Sequence, residues 1–238
     1  MKAVTFSYDD GITQDQRLIA LFNRYGLKAT FNLNSDLLGT GSGLLRENVT
    51  VAHVKPRREE ISHIYEGHEV AVHTLTHPNL TRVTDDAEVI RQVEEDRKAL
   101  SDLVGYEVVG MAYPCGGGNH DERVANLIRE HTGICYARTI TSTHSFDPQV
   151  DLLQFNPTVH HTEFEQMFRL AHEFIHANPN QPQIFYVWGH SFEFDIHNTW
   201  SQMEEFCKLI SGRDDVFYGT NQEILLNDSW YRKKVMDR

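Results

Sequence analysis

The chain has 238 residues, of which 40% are hydrophobic and 24% are charged, and these proportions are those of a globular protein rather than a disordered one. A formal net charge of −12 at pH 7 argues against a nucleic-acid or anionic-membrane partner, because binding to phosphates requires clustered Lys and Arg. The three cysteines have no CxxC spacing, which argues against a cysteine-rich zinc site, and no apolar run approaches the ~20 residues of a membrane span. Because a strand-like segment begins directly after Met1, we expect no signal peptide and a cytoplasmic protein, unless a leader has been removed.

Short β-rich runs alternate with longer segments of helical periodicity along the chain. Strands are predicted at 2–8, 28–34, 68–73, 107–113, 135–140, 183–190 and 216–220, and helices at 13–26, 58–67, 85–105, 121–133, 163–178 and 199–211. Two segments lack a clear period: 38–56, predicted to be a loop, and 142–161, predicted to be irregular apart from a possible short strand at 152–155. The alternation predicts a single α/β domain over 1–238, with a parallel sheet and outer helices, open or closed as a barrel.

Polar clusters follow four of the predicted strands. These clusters are Asp9-Asp10-Gly11, His73 with His77, 113–119 and 188–195. Because such folds place their functional groups at the carboxyl ends of parallel strands, we expect the four clusters to meet at one edge of the sheet.

The segment HTLTH places His73 and His77 four residues apart, in a chain with 14 histidines. On a helical turn, residues at i and i+4 share a face, so both imidazoles can reach one metal ion. One carboxylate of Asp9-Asp10 would complete a site of three protein ligands with an open position for water, and the other could take the proton of that water. The alternatives are a strand-ending turn for the two aspartates and hydrogen-bonding histidines in a loop.

Taken in order, the segments SYDDG, HTLTH, YPCGG and WGH resemble the successive motifs of the polysaccharide deacetylase family, the carbohydrate esterase family 4 group with a NodB homology domain. The resemblance extends over residues 4–191, and 217–225 resemble the closing strand and helix of such domains. It implies a distorted, incomplete (β/α) barrel of about seven strands. It also implies an enzyme that hydrolyses the acetyl group of a sugar with the help of one divalent metal ion.

The resemblance implies roles for individual residues. Asp9, the first of the pair, matches the general base of the family, and His190 matches the general acid that protonates the leaving amine. The backbone N–H of Cys115 matches the group that donates to the oxyanion. We expect the metal to be zinc, with cobalt, nickel or manganese as alternatives. The metal ligands implied by the resemblance are Asp10, His73 and His77.

Two motifs of the family are incomplete in this chain. The third motif usually carries an Arg two residues before Pro114, where this sequence has Ala112, and Arg138 at the end of the next predicted strand is a candidate to supply that charge. The fourth motif, a pair of Asp residues with a Trp, has no clean match. Candidates to orient His190 or Arg138 in its place are Asp147, Asp151, Glu193 and Asp195.

Other side chains near the motifs have both functional and structural interpretations. Tyr113, Pro114 and Trp188 are candidates for support of the site or contact with substrate, although Trp188 at a strand end equally suits the core. A thiol nucleophile at Cys115 would need a base and an orienting group nearby, and we favour a small turn residue instead. His160 and His161 either border the pocket or are solvated loop residues.

The predicted function is metal-dependent hydrolysis of the N-acetyl group of a sugar or polysaccharide, so the expected partner is an N-acetylated carbohydrate. One alternative is hydrolysis of another non-peptide C–N bond, in a cyclic amide or imide, on the same fold. Another is a non-catalytic carbohydrate-binding domain. Against that last alternative, the base, the acid and the three metal ligands are all present in the sequence.

Overall fold

The computed structural model of the protein describes residues 1–227 and 229. Its strands are β1 (Lys2–Asp9), β2 (Ala29–Leu33), β3 (Gly41–Arg46), β4 (Val49–Val54), β5 (Glu69–Val72), β6 (Gly110–Ala112), β7 (Tyr136–Arg138), β8 (Val159–His160), β9 (Gln183–Gly189) and β10 (Val216–Tyr218). Its α-helices are α1 (Asp15–Arg24), α2 (Ile61–Ile64), α3 (Asp86–Val104), α4 (Glu122–His131), α5 (Phe164–His176), α6 (Glu193–His197), α7 (Trp200–Ile210) and α8 (Asn221–Leu225).

One sheet of eight strands forms the body of the molecule. Seven strands follow the order β7-β6-β5-β2-β1-β9-β8, and β10 pairs with β1. All of these pairings are parallel, so each return crossing needs a connection outside the sheet, which the helices largely provide. The sheet curls into a half-barrel. The predicted distorted, incomplete (β/α) barrel of about seven strands is therefore confirmed.

Strand β1 lies in the interior of the sheet, where it pairs with β2, β9 and β10, and all eight of its residues are buried. Successive side chains of a strand point to opposite faces, and here the two faces have different chemistry. The Phe6 ring packs against Phe22 of α1 and Phe206 of α7, with centroid distances of 4.6 and 6.3 Å. Ser7 and Asp9 lie on the other face, where both contact the same buried guanidinium. The outer face of β1 thus builds the core, and the inner face carries polar groups toward the carboxyl end.

The longest helix, α3, shows how local signals delimit the outer layer. Its N-cap residue Asp85 accepts a hydrogen bond from the backbone N–H of Ala87, and the helix ends at Gly105 with φ of 78°. Five apolar residues recur at near-helical spacing in this segment: Val89, Val93 and Leu100 are buried, and Ile90 and Leu103 are half-buried. The predicted helix at 85–105 is confirmed.

The prediction of a loop at 38–56 is wrong, because strands β3 and β4 form an antiparallel hairpin there. Its two-residue turn is made by Glu47 and Asn48, whose φ angles of 49° and 65° are those of a tight hairpin turn. The segment VTVAHV at 49–54 is rich in β-branched residues, which is a strand signal. The usual Asn-Gly or Asp-Gly turn is absent from the sequence, so the hairpin was not predicted.

The segment 142–161 also differs from its prediction. Strand β8 pairs with β9 at its end, and the possible strand at 152–155 is a 3₁₀ helix over Leu152–Gln154. The short helix α6, which follows β9 after a three-residue turn, was not predicted either.

Within the described residues, no helix is both long enough and apolar enough to cross a membrane.

Candidate active site

The carboxyl ends of β1, β5 and β9 open onto one cavity with a volume of about 510 Å³. Asp9 ends β1, His73 follows β5 and His190 follows β9, so parallel strands of one sheet deliver all three side chains to the same edge. The segment at 113–116 and the hairpin β3–β4 supply further walls. The four polar clusters noted in the sequence therefore converge, as the fold class predicts.

Three side chains in this cavity form a group with the composition of a metal site. The ligand atoms of Asp10, His73 and His77 all lie within 4.8 Å of one another. Asp10 Oδ1 is 3.6 Å from His77 Nε2 and 4.0 Å from His73 Nε2. Two imidazoles and one carboxylate are the protein ligands of many catalytic zinc sites.

The hydrogen bonds of His73 define which of its nitrogens is free. Its Nδ1 lies 2.8 Å from the carbonyl oxygen of Ala112, and because a carbonyl only accepts, Nδ1 carries the proton. Burial lowers the pKa of His73 to about 4, so the ring is neutral at pH 7. The lone pair on Nε2 is then directed at Asp10, in the tautomer that a metal ligand needs.

The backbone around His73 is fixed by side chains of neighbouring elements. Asn34 Nδ2 donates to the carbonyl oxygens of His73 and Thr74, at 2.6 and 2.9 Å. Asp96 of α3, itself buried, accepts from the backbone N–H of His73 at 3.2 Å. The position of this ring is therefore determined from two sides.

His73 and His77 do not lie on a helical turn, although their spacing of four residues would allow one. They belong to an irregular loop in which Thr74 and His77 have φ angles of 69° and 62°. Asp10 and Cys115 also have positive φ, at 80° and 70°. Of these four non-glycine residues in an uncommon conformation, Asp10, His77 and Cys115 line the cavity and Thr74 directly follows His73, and such a concentration is typical of functional sites.

Asp9 is paired with a buried arginine. Arg138 Nη2 lies 2.5 Å from both carboxylate oxygens of Asp9, and Asn32 Nδ2 donates to Oδ1 at 2.8 Å. Burial acts to raise the pKa of Asp9, but the charge and hydrogen bond of Arg138, together with the nearby His73 and His190, outweigh it and the pKa lies below its ordinary value. Arg138 itself is held by Ser7 Oγ at 3.1 Å and lies 4.4 Å above the ring of Trp188. A guanidinium thus reaches the first Asp from β7, while the position of the usual arginine is Ala112.

His190 is paired with Glu193, three residues later at the start of α6. Its Nδ1 lies 3.3 Å from Glu193 Oε2, which also accepts from the backbone N–H of His190 at 2.9 Å. Burial acts to lower the pKa of His190, but Glu193, together with the charges of Asp10 and Asp9, raises it to about 9, so the ring is protonated at pH 7. Two further imidazoles adjoin the same oxygen, at 2.9 Å for His161 and 3.5 Å for His160.

Four acidic residues were candidates to orient His190 or Arg138. Within the part of the chain that the structure describes, only Glu193 contacts the ring of His190. Asp147 bonds to Ser145 on the surface, and Asp151 caps a 3₁₀ helix. Asp195 accepts from the indole N–H of Trp200. The suggestions of Asp147, Asp151 and Asp195 are therefore wrong.

The segment after β6 lines the cavity through Tyr113 and Cys115. Asn119 Nδ2 donates to the carbonyl oxygens of both, at 3.1 and 2.9 Å, and so fixes the turn that contains Pro114. Burial raises the pKa of the Cys115 thiol, whose Sγ is 3.8 Å from His77 Nδ1. A neutral thiol is a poor nucleophile, which agrees with the interpretation of Cys115 as a turn residue.

Residues 1–133 of the 238 match the family model described as polysaccharide deacetylase, which is more than half of the chain. The chain belongs to the polysaccharide deacetylase family. No curated protein matches it.

Solved structures of this family share the fold at low sequence identity. A family 4 carbohydrate esterase from Streptomyces lividans in complex with acetate has a TM-score of 0.53 and 14% identity, with 87% of each chain covered. The Xyl-CE4 domain of a multidomain xylanase from the hindgut metagenome of Trinervitermes trinervoides has a TM-score of 0.55 and 17% identity, over 94% of this chain and 89% of that one. A CE4 family pseudoenzyme from Bacillus anthracis has a TM-score of 0.51 and 15% identity, over 94% and 65%. At these identities the likeness shows the fold alone.

Strand β4 and the residue that follows it add two residues to the candidate site that were not predicted from the sequence. His53 Nε2 lies 3.1 Å from Asp10 Oδ2. Lys55, which is 6% exposed, donates to the backbone carbonyl of Asp10 and to Asn34 Oδ1. The only signal in the sequence was the β-rich segment 49–54, which would have placed His53 on the same face as the buried Val51.

Proposed function

We propose that the protein is a divalent-metal-dependent deacetylase that hydrolyses the N-acetyl group of a sugar, with Asp9 as general base and His190 as general acid. One observation carries the proposal. A group of two neutral imidazoles and a carboxylate shares a cavity with an ionised aspartate and a protonated histidine. Amide hydrolysis needs a base for the attacking water and an acid for the departing nitrogen.

The residues present fit a divalent metal ion. Burial lowers the pKa values of His73 and His77, so both rings are neutral and able to coordinate. The pKa of Asp10 lies well below its usual range because burial is outweighed by its bond to His53 and by nearby positive charge. These three residues would hold zinc, or alternatively cobalt, nickel or manganese. Such an ion supplies polarisation of the acetyl carbonyl and a lowered pKa of a coordinated water.

Asp9 is suited to accept the proton of the attacking water. Arg138 keeps the carboxylate ionised and Asn32 fixes its orientation, so the group is in its basic form over the neutral range. Because its pKa is low, the Asp9 carboxylate is a weak base. It can accept a proton only from a water whose own pKa has been lowered. This requirement is consistent with metal-assisted rather than metal-free hydrolysis.

His190 is suited to protonate the nitrogen of the leaving amine. With Nδ1 bonded to Glu193, the Nε2–H is the proton available for transfer. An amide nitrogen leaves only after it is protonated, and a pKa of about 9 keeps this proton in place at pH 7. Glu193 thereby acts as a positioning residue for the acid.

Two other groups complete the proposed site. The backbone N–H of Cys115 has no hydrogen-bond acceptor within the described residues and would donate to the oxyanion. Tyr113 and Trp188 line the cavity but are 0% and 7% exposed, so they support its wall and do not present a free ring face to a sugar. The cavity volume of about 510 Å³ is within the range of small-molecule sites.

The test is release of acetate from N-acetylglucosamine and its oligomers by the zinc-loaded protein, compared with the Asp9→Asn variant. We expect release by the wild type, and a variant that retains the metal and releases no acetate. Hydrolysis of a cyclic amide or imide without acetate release would support the alternative C–N hydrolase. If the protein binds these sugars and hydrolyses none of the substrates, it is a binding domain, as a pseudoenzyme among the matched structures illustrates.

A further inference from the structure

The hairpin β3–β4 brings His53 against the carboxylate of Asp10. His53 Nε2 lies 3.1 Å from Asp10 Oδ2, and the side chain of His53 is 21% exposed. On its other side the imidazole contacts the ring of Phe192 at a centroid distance of 5.5 Å and an interplanar angle of 70°. The ring is therefore held between a carboxylate and an aromatic side chain.

The backbone on either side of His53 is tied to the start of α1 and the loop before it. Thr13 N–H donates to the carbonyl oxygen of Val54 at 2.8 Å, and Gln14 Nε2 donates to that of Ala52 at 2.7 Å. An isolated two-stranded hairpin is only marginally stable, so these bonds are what fixes β4 over the site. The position of His53 is thus set by the body of the protein and not by the hairpin alone.

The two oxygens of Asp10 have different partners. Oδ2 faces His53, whereas Oδ1 faces His77 Nε2 at 3.6 Å and His73 Nε2 at 4.0 Å. Because a carboxylate is planar, a hydrogen bond to one oxygen restrains the direction of the other. Oδ1 is thereby presented to the two imidazoles.

We propose that His53 is a positioning residue for the metal site, whose Nε2–H bonds to Asp10 Oδ2 and so directs Oδ1 to the metal. The inference rests on the metal site of the proposed function. It assigns a role to the hairpin, since no other described side chain donates to the Asp10 carboxylate.

His53 is not itself positioned as a ligand. Asp10, His73 and His77 form a group whose ligand atoms all lie within 4.8 Å of one another, and His53 is not a member of it. Outer hydrogen bonds to a metal-bound carboxylate commonly contribute about 10- to 100-fold to metal affinity. We therefore expect His53→Ala to weaken zinc binding by about that factor while leaving one site per chain.

The experiment measures zinc and cobalt affinity by competition with a chromophoric chelator, together with the visible spectrum of the cobalt-loaded protein. His53→Ala removes the donor, and His53→Gln keeps an N–H at a similar reach. Thr50→Ala, at an exposed position of the same strand, is the matched control. Melting of the metal-free proteins reports whether the hairpin variants remain folded.

We expect wild type, Thr50→Ala and His53→Gln to bind with similar affinity and give the same cobalt spectrum, and His53→Ala alone to bind weakly. Equal affinity of wild type and His53→Ala would overturn the inference and leave the proposed function intact. His53→Gln as weak as His53→Ala, with an altered cobalt spectrum, would show that the imidazole is itself a ligand and would also overturn it. If the wild type binds no metal, the proposed function fails, and this inference fails with it.

Discussion

Two histidines of the same cavity show how one type of side chain is prepared for opposite tasks. His73 donates from Nδ1 to the neutral carbonyl of Ala112, and burial lowers its pKa to about 4. His190 has its Nδ1 beside the anionic Glu193, which with the charges of Asp10 and Asp9 overcomes the effect of burial and raises the pKa to about 9. The first ring is neutral and can coordinate a metal, whereas the second is protonated and can donate. The partner of Nδ1 thus distinguishes the proposed metal-binding part of the site, Asp10 with His73 and His77, from the proposed acid part, His190 with Glu193.

Removal of the metal-binding part should have the largest effect. We expect His73→Ala to lose the bound metal and to reduce acetate release to the background rate, because one carboxylate and one imidazole hold a divalent ion poorly. Elemental analysis and an acetate assay check this, with His63→Ala, at an exposed position on α2, as the control. A fully active, metal-containing His73→Ala would remove His73 from the site.

Removal of the acid should leave the metal in place. For His190→Ala we expect one equivalent of metal, as in the wild type, and a kcat lower by about 10²- to 10⁴-fold. Substrates with a better leaving group than an amine need less protonation, so an O-acetyl ester should be affected less. Loss of metal from His190→Ala would contradict the separation of the two parts.

The charge of Glu193 should be visible in the pH profile. His190 must be protonated to act, so activity should fall as the pH rises through its pKa of about 9. In Glu193→Gln the anion is absent while burial still lowers the pKa of His190, and this alkaline limb should move to lower pH. We expect about a tenfold loss at pH 7 and a smaller one at pH 5.5. If the alkaline limb of the pH–activity profile is the same in Glu193→Gln and in the wild type, a group other than His190 determines that limb.

The smallest effect is expected for the thiol of Cys115. Its pKa is raised by burial, and its Sγ makes only long contacts with His77, of 3.6 and 3.8 Å. Cys115→Ser should stay within about threefold of wild-type activity with the metal retained. A loss as large as that of His190→Ala would point to a nucleophilic cysteine.

The residues of the site that could be predicted from the sequence are those that lie close to one another in the chain at the end of a strand. Asp9 and Asp10 are adjacent after β1, and His73 and His77 are four apart after β5, so the fold class alone brings the pairs together. Arg138 was a candidate because it ends a predicted strand. Its contact with Asp9 depends on how far the barrel curls, which no local pattern specifies.

Other parts depend on packing that the sequence does not show. Four acidic residues were candidates to orient His190 or Arg138, and only the turn into α6 brings Glu193 to the ring of His190. His53 lies in a hairpin with an unusual Glu47-Asn48 turn, so its approach to Asp10 had no signature. Contacts between residues distant in sequence therefore set the fine geometry of the site.

Nitrogen NMR of the metal-free protein can decide whether His73 is neutral while His190 is charged at neutral pH. Histidine nitrogen shifts report both the charge and the protonated nitrogen of each ring, and the two residues can be assigned with His73→Gln and His190→Gln. We expect a neutral His73 with its proton on Nδ1 at pH 7, and a His190 that remains doubly protonated until about pH 9. Two rings that titrate together near the ordinary histidine value would contradict this expectation.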